Sequence, residues 1–435
     1  MKDLKILPAE LTQLKVTVLG AAKEVGRSGF LVDAGHKKIL MDYGVLLKRD
    51  REPAFPLHVK PKEIDAVILT HAHLDHSGLV PSLFLTDVIG LQALGTAPTF
   101  DLSYLLIEDM IKISGFYLPF EYLDVLNMKN HSRELGYREP YLIDGVQVNL
   151  YESGHVLGGA TITVSHENKT IFYTGDINTR GSKLLRPADL NVGEIDLMII
   201  ESTYSQSDQT PREESERELL SFANEIIEGG GTFFIPAFSV ERAQEIACVL
   251  QAHKFSHKVV MDGMALKANE IMLKHPSFLR DPDSFKEAIT GAEWIKGWNR
   301  RKKVVNEPCV IISPAGMLVG GSAVHYMQEL GKNERNGIAL VSYQGEGTPG
   351  RMLLERGVSS FQGKLTKCHA AVKQFDFSGH NSRPELFEIL NTIRGSPEVL
   401  TVHGDGKACT DFAREIQEKY GFKAHAPEAG EVVQV

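Results

Sequence analysis

Residues 66–76 read Ala66-Val67-Ile68-Leu69-Thr70-His71-Ala72-His73-Leu74-Asp75-His76. The first five have the composition of a buried β-strand. The next six crowd three imidazoles and a carboxylate together, a mixture of nitrogen and hard oxygen donors that suits zinc and similar borderline metals. An extended backbone would send His71 and His73 to one face and His76 to the other. The cluster therefore reads as a loop wrapped around ions. A polar turn with incidental histidines is the plain alternative, but so tight a donor set rarely arises by composition.

One such loop cannot complete two metal sites, so further donors must come from elsewhere. A shared pattern picks them out. His155 follows a strand predicted at 146–151, Asp176 follows one at 170–174, and Glu201 and His403 stand at the ends of strands at 197–200 and 399–402. Loops leaving one edge of a sheet converge, and each of these residues sits at such a position. Gly154, Gly158, Gly159, Gly175 and Gly404 flank them and permit tight turns. Singly, each reads more readily as a turn or cap residue. Their joint occurrence with the 71–76 cluster carries the reading.

A chain of 435 residues exceeds what one hydrophobic core usually supports, so two or more domains are expected. The net charge of −9 argues against a non-specific nucleic-acid coat protein, yet leaves room for a locally positive site. Cys248, Cys309, Cys368 and Cys409 form no C-x-x-C pair, which points to buried thiols in a reducing cytoplasm. The N-terminus has no apolar signal core, and no apolar run approaches about 18 residues, so neither secretion nor a membrane partner is expected.

Up to about residue 205 the chain reads as short strands and turns, at 16–19, 30–32, 38–41, 66–70, 146–151, 161–164, 170–174 and 197–200. Beyond it strands alternate with helices. Thr210-Pro211-Arg212-Glu213 resembles a capping box, and the helix it opens stops at Gly229-Gly230-Gly231. Strands at 232–235, 259–262, 310–313 and 338–342 and helices at 239–253, 264–274 and from 322 follow. This alternation indicates a parallel α/β layer. It reads as a domain inserted at 206–355, with 1–205 and 356–435 forming the other domain.

The order of these motifs resembles a known family. Asp42, the 71–76 cluster, His155 and Asp176 look like the successive motifs of the metallo-β-lactamase superfamily. Glu201-Ser202-Thr203-Tyr204, Ser378-Gly379-His380 and Thr401-Val402-His403-Gly404 look like the further motifs of its β-CASP branch, which processes nucleic acids. Ser313-Pro314-Ala315-Gly316-Met317 and Tyr343-Gln344-Gly345-Glu346-Gly347-Thr348 resemble the cleavage and polyadenylation specificity factor nucleases of that branch. Only about fifteen residues precede the first predicted strand, as in the short archaeal members without KH domains. The resemblance implies an α/β fold: a metallo-β-lactamase αββα sandwich with an inserted parallel α/β β-CASP domain.

It also implies roles. Two zinc ions per chain would be held, one by His71, His73, His155 and Asp176, the other by Asp75, His76, Asp176 and His403, with Asp176 bridging. Asp42 would orient a ligand imidazole. Asp75, Glu201 and His380 would be the catalytic set, the last two holding and donating the proton the leaving 3′-oxygen needs. Two zinc ions, two aspartates and a hydroxide leave a net charge of about +1, which attracts a phosphodiester. The expected activity is a ribonuclease, endonuclease and/or 5′-to-3′ exonuclease, on single-stranded RNA, because His403 stands where DNA-repair members of the branch carry an apolar residue.

Arg242 and Ser378 are candidate RNA-phosphate contacts. The basic, aromatic stretch Trp294 to Lys303 suits a backbone-tracking surface and a solvated helix end equally. A homodimer, or association with related β-CASP subunits, follows from the resemblance alone. Two rival readings remain: a non-catalytic scaffold subunit, against which the intact donor set counts, and a small-molecule metallo-hydrolase, against which the size of the insertion counts.

Overall fold

The computed structural model describes residues 14–47, 52–85, 90–113, 117–361 and 364–435; most of the segment ahead of the first strand lies outside them. Two seven-stranded sheets dominate. The first runs in the spatial order Val432–Gln434, Lys15–Val18, Phe30–Asp33, Lys38–Met41, Ala66–Ile68, Gln92–Gly95, Ser132–Glu134. The second runs Ala424–His425, Glu398–Val402, Leu197–Glu201, Lys169–Tyr173, Ala160–His166, Val146–Glu152, Tyr141–Ile143.

Strand periodicity explains how they stack. Val16, Val18, Phe30, Val32, Ile39, Met41 and Ile68 meet Val148, Leu150, Ile162, Val164, Ile171 and Ile199 in one core between the sheets. Neighbours of opposite parity point outward. Leu40, Val67 and Ala93 pack with Phe100, Ile107, Met110 and Met128 of helices Ala97–Ile113 and Tyr122–Asn130. Phe172, Met198 and Val399 pack with Leu386, Ile389, Phe412 and Ile416 of helices Arg383–Thr392 and Gly406–Tyr420. The layers are αββα, as expected, and strands covered on both faces need their near-continuous apolar runs.

The third sheet has six strands, all paired in parallel: Glu293–Trp294, Val259–Met261, Val310–Ser313, Phe233–Pro236, Gly337–Leu340 and Ala371–Gln374. Helices cover both of its faces, through Leu219, Phe222, Ile246 and Phe285 on one side and Ala323, Tyr326 and Leu330 on the other. Its last strand lies beyond residue 355, where the sequence reading ends the insertion. Ala371–Gln374 is a largely exposed edge strand that follows the exposed strand Lys364–Lys367, so no apolar alternation marks it. The helix Arg212–Glu228 also departs from expectation, because Pro211 rather than Thr210 is its N-cap and no side chain caps it. A capping box between Ser382 and Glu385 opens the helix Arg383–Thr392 instead. Among the described residues no helix is long and apolar enough to cross a membrane.

Pairing directions decide where the loops emerge. Lys169–Tyr173, Leu197–Glu201 and Glu398–Val402 are mutually parallel, and Val146–Glu152 regains the same direction through two antiparallel pairings. Their C-terminal ends share one edge. In the first sheet Lys38–Met41 and Ala66–Ile68 are parallel and also end together. The 71–76 loop is strapped in place by backbone hydrogen bonds: Ser28 N–H to Asp75 O (2.8 Å), Tyr43 N–H to His76 O (2.8 Å) and Val45 N–H to Leu74 O (2.8 Å). Gly44 lies flat against this loop, and a Cβ there would sit 1.7 Å from the Asp75 carbonyl oxygen. Gly44→Ala is expected to force the loop outward and destabilise the chain by about 1–3 kcal/mol, as overpacking does; a denaturant titration showing no loss would contradict this packing.

Candidate metal centre

All seven residues singled out as donors meet at that shared edge. His71, His73, His155 and Asp176 bring one donor atom each into a common space, and Asp75, His76, Asp176 and His403 do the same beside it. Asp176 belongs to both groups. Its Oδ2 faces His71 Nε2 at 3.5 Å and His155 Nε2 at 3.6 Å, while its Oδ1 faces His76 Nε2 and His403 Nδ1, each at 3.3 Å. His403 Nε2 reaches Asp75 Oδ2 at 3.3 Å, and His155 Nε2 stands 3.2 Å from His73 Nδ1.

The surroundings fix which nitrogens point inward. His155 donates its Nδ1–H to the Gly379 carbonyl at 2.8 Å. His76 Nδ1 lies 2.7 Å from Asp42 Oδ2, and Thr70 Oγ1 donates to the same Asp42 oxygen at 2.7 Å. With its proton so committed, Thr70 Oγ1 accepts from His71 Nδ1 at 3.0 Å. His71 and His155 thus turn bare Nε2 lone pairs toward a carboxylate. Acceptor facing acceptor at such range is repulsive unless a proton or cation stands between. His71 Nε2 and Asp176 Oδ1 are buried and find no hydrogen-bond partner. Donor chemistry and orphaned atoms together fit metal ions.

Electrostatics divides the groups. Burial, then the neighbouring His76 charge, holds the His71 imidazole well below its ordinary pKa; burial and His380 do the same for His155. Both are therefore neutral, as a metal ligand must be. Burial would raise the Asp176 carboxyl, but the charges of His403, His76 and His380 overcome it and hold the group well below the usual carboxylate range.

Glu201 and His380 form a separate pair beside the cluster. His380 Nδ1 lies 2.9 Å from Glu201 Oε2 and 3.0 Å from Oε1, and the Ile177 N–H donates to Glu201 Oε1 at 2.8 Å. His380 Nε2 is left aimed at the cluster, 4.0 Å from Asp176 Oδ2. Burial opposes protonation of His380, yet the Glu201 and Asp176 charges outweigh it and push the pKa up to about 9.

Arg242 is buried and comes to the same rim: a Cβ on Gly379 would lie 3.1 Å from its Nη2 and 3.2 Å from His155 Nδ1. Its charge is shared with the buried Glu241 at 3.0 Å. Ser378 is engaged with its own turn, its Oγ accepting from His380 N–H at 3.1 Å. In the basic stretch, Arg300 is tied to Glu293 and Glu307, and Arg301 Nη2 to Asp262 at 2.8 Å, so those two cations serve the insertion itself.

Sequence reasoning missed Thr70, Tyr173 and the Gly379 carbonyl. Tyr173 donates its hydroxyl to Asp42 Oδ2 at 3.0 Å, completing a buried carboxylate that also accepts from Thr70 N–H at 2.7 Å. A tyrosine in an apolar strand carries no signal of this, although a threonine beside the histidine loop could have suggested it. Asp42→Asn replaces an acceptor with an amide beside three donors and unties His76. We expect a loss of about 10- to 100-fold in metal affinity with the fold retained; a chelator competition giving unchanged affinity would contradict the orienting role.

Comparison with known proteins identifies the family of this fold. Residues 29–203 match the metallo-beta-lactamase superfamily domain, 243–353 the Beta-Casp domain, and 367–427 the Zn-dependent metallo-hydrolase RNA specificity domain. RNase aCSPSF2 of Saccharolobus solfataricus is 36% identical over 96% of this chain and 84% of its own length. Transcription termination factor FttA of Pyrococcus abyssi is 34% identical over 95% of this chain and 70% of its own length. The protein named Probable RNase MJ4 of Methanocaldococcus jannaschii is 32% identical over 97% of this chain and all of its own length. A crystal structure of a protein of unknown function from Enterococcus faecalis shares the fold, with a TM-score of 0.61 at 14% identity over 97% of this chain and all of that one. The chain belongs to the β-CASP branch of the metallo-β-lactamase superfamily, alongside these archaeal proteins.

Proposed function

We propose that the chain hydrolyses phosphodiester bonds of single-stranded RNA at a centre holding two zinc ions. The observation that carries this reading is the Glu201–His380 pair, which aims one imidazole nitrogen at a carboxylate shared by two donor groups. The inserted domain, which brings Arg242 to the rim of the centre, counts against a small-molecule hydrolase on the same core. Relatives named as RNases support the substrate class, and relatives named FttA make nascent transcripts one source of it. The four free cysteines, three of them buried, suit a reducing cytoplasm.

His71, His73 and His155 would hold one ion, Asp75, His76 and His403 the other, and Asp176 would bridge them. The ions would supply Lewis-acid polarisation of the phosphate and a lowered pKa for attacking water. The remaining chemistry falls to the chain. Glu201, fixed by the Ile177 N–H, holds the His380 ring by Nδ1 and favours its protonated form. His380 Nε2 then carries a proton toward the site, available to the departing 3′-oxygen as the P–O bond breaks. Cations bound nearby would draw the imidazole back toward neutrality, where release and recapture of the proton are both easy. Arg242 would offer its guanidinium to a non-bridging phosphate oxygen, exchanging part of its Glu241 contact for the new anion. Ser378 would act by shaping the turn that presents His380, with its hydroxyl as a phosphate contact.

Two measurements test the proposal. His380→Ala is expected to lower kcat on single-stranded RNA by about 10²- to 10⁴-fold, the usual range for a lost acid–base group, while zinc content stays at the wild-type level. Loss of zinc with the substitution would make His380 a ligand instead. Side by side, RNA should be cut faster than DNA of the same sequence; the reverse order would remove the RNA assignment.

A further inference from the structure

Strands Phe233–Pro236, Val310–Ser313 and Gly337–Leu340 are parallel neighbours, so the segments that follow them leave the insertion at one edge. In open α/β sheets that edge is where ligands bind. Here it carries apolar side chains in solvent: Tyr343 is 58% exposed, Val319 50% and Phe238 36%. Single exposed apolar residues need no explanation, but these surround one turn. A Cβ on Gly316 would lie 3.1 Å from Phe238 N and 3.0 Å from Ser342 Oγ. One on Gly345 would lie 3.7 Å from both Tyr343 Cε1 and Met317 Sδ.

This patch is continuous with the metal centre. The Phe238 carbonyl accepts from Ala243 N–H at 3.1 Å, so its neighbour Arg242 starts from the same turn. Between them Glu241 has φ 75° and ψ −61°, with Arg242 N–H bonded to Val240 O at 3.1 Å. That is a γ-turn of positive φ, a costly conformation for a residue with a side chain. It turns Arg242 toward Gly379 while leaving Phe238 at the surface. Arg242 in turn stands beside the metal centre: a Cβ on Gly379 would lie 3.1 Å from its Nη2 and 3.2 Å from His155 Nδ1.

Aromatic faces beside a phosphate-sized cation are how proteins hold a single strand of any sequence, since every base has a π-face and every nucleotide a phosphate. We infer that Tyr343 and Phe238 form a stacking surface for one base of the RNA, next to the phosphate that Arg242 grips. This rests on the proposed RNA hydrolysis. The surface selects for an unpaired base, because a paired base keeps both faces in its own stack. It predicts tolerance of base identity at that position and intolerance of base removal.

The test uses the zinc-loaded full chain on a short single-stranded RNA cut at one bond. Tyr343→Ala should raise KM by about 5- to 150-fold, the range that loss of one base stack gives, with kcat little changed. Tyr343→Trp should hold KM at or below the wild-type value, which also serves if the alanine variant melts early. Phe238→Leu, apolar but without a ring, should raise KM as well. An abasic nucleotide is then placed at each position around the cut. At one position it should weaken the wild type as Tyr343→Ala does and cost the alanine variant nothing further. Unchanged KM in the Tyr343 and Phe238 variants, with wild-type RNA cleavage intact, overturns the stacking surface alone. So do equal abasic penalties in wild type and variant, or a change of oligomeric state in Tyr343→Ala without a change in KM. A wild type that cuts no RNA fails the functional reading itself and takes this inference with it.

Discussion

Asp176 places two carboxylate oxygens in a buried space that four surrounding imidazoles also enter, with His71 and His155 at 3.5 and 3.6 Å on one side and His76 and His403 at 3.3 Å on the other. Left alone, such a set is unfavourable, because neutral nitrogens and carboxylate oxygens all present lone pairs to one another. Protons relieve some of the conflict: His76 and His403 are drawn above their ordinary pKa against the burial that opposes them. They do not relieve it where His71 and His155 stay neutral. The chain has concentrated a deficit of positive charge at one point, and the rest of the architecture keeps the donors from rearranging to escape it.

Two sheets are needed to do so. The loop after Ala66–Ile68 comes from one and the residues after Val146–Glu152, Lys169–Tyr173 and Glu398–Val402 from the other. The buried Asp42 joins them, fixing Thr70 and His76 of the first and receiving the Tyr173 hydroxyl of the second. Asp42 and His403 both adopt positive φ, 56° and 50°, and strain of this sort persists only where the surroundings impose it. The C-terminal segment closes the site by supplying Gly379, His380 and His403, which lets the insertion between them reach over the centre without itself furnishing a donor.

Much of this was legible in the sequence because it obeys strand logic. A polar donor past the end of an apolar strand is a recognisable pattern, and the ends of parallel strands meet by geometry; His155, Asp176, Glu201 and His403 were found that way. Less was legible where the signal is tertiary. Tyr173 alternates with its apolar neighbours and reads as core, and its hydroxyl acquires meaning only opposite Asp42. The Gly379 carbonyl has no side chain to announce it. Strand Ala371–Gln374 escaped because an edge strand open to solvent has no need of an apolar face. The stretch holding Arg300 and Arg301 suits a nucleic-acid surface and a solvated helix end equally in sequence, and only the tertiary pairing with Glu293, Glu307 and Asp262 gives those two cations a role within the insertion.

We propose that one carboxylate, Asp176, serves two cation seats. Metal analysis of the purified chain beside Asp176→Ala, after dialysis against trace zinc, addresses it most directly. Two equivalents of zinc per wild-type chain, with occupancy of both seats falling together in the variant, is the result the shared carboxylate predicts. A single equivalent in the wild type, or a variant that gives up one ion and keeps the other at full strength, would contradict it.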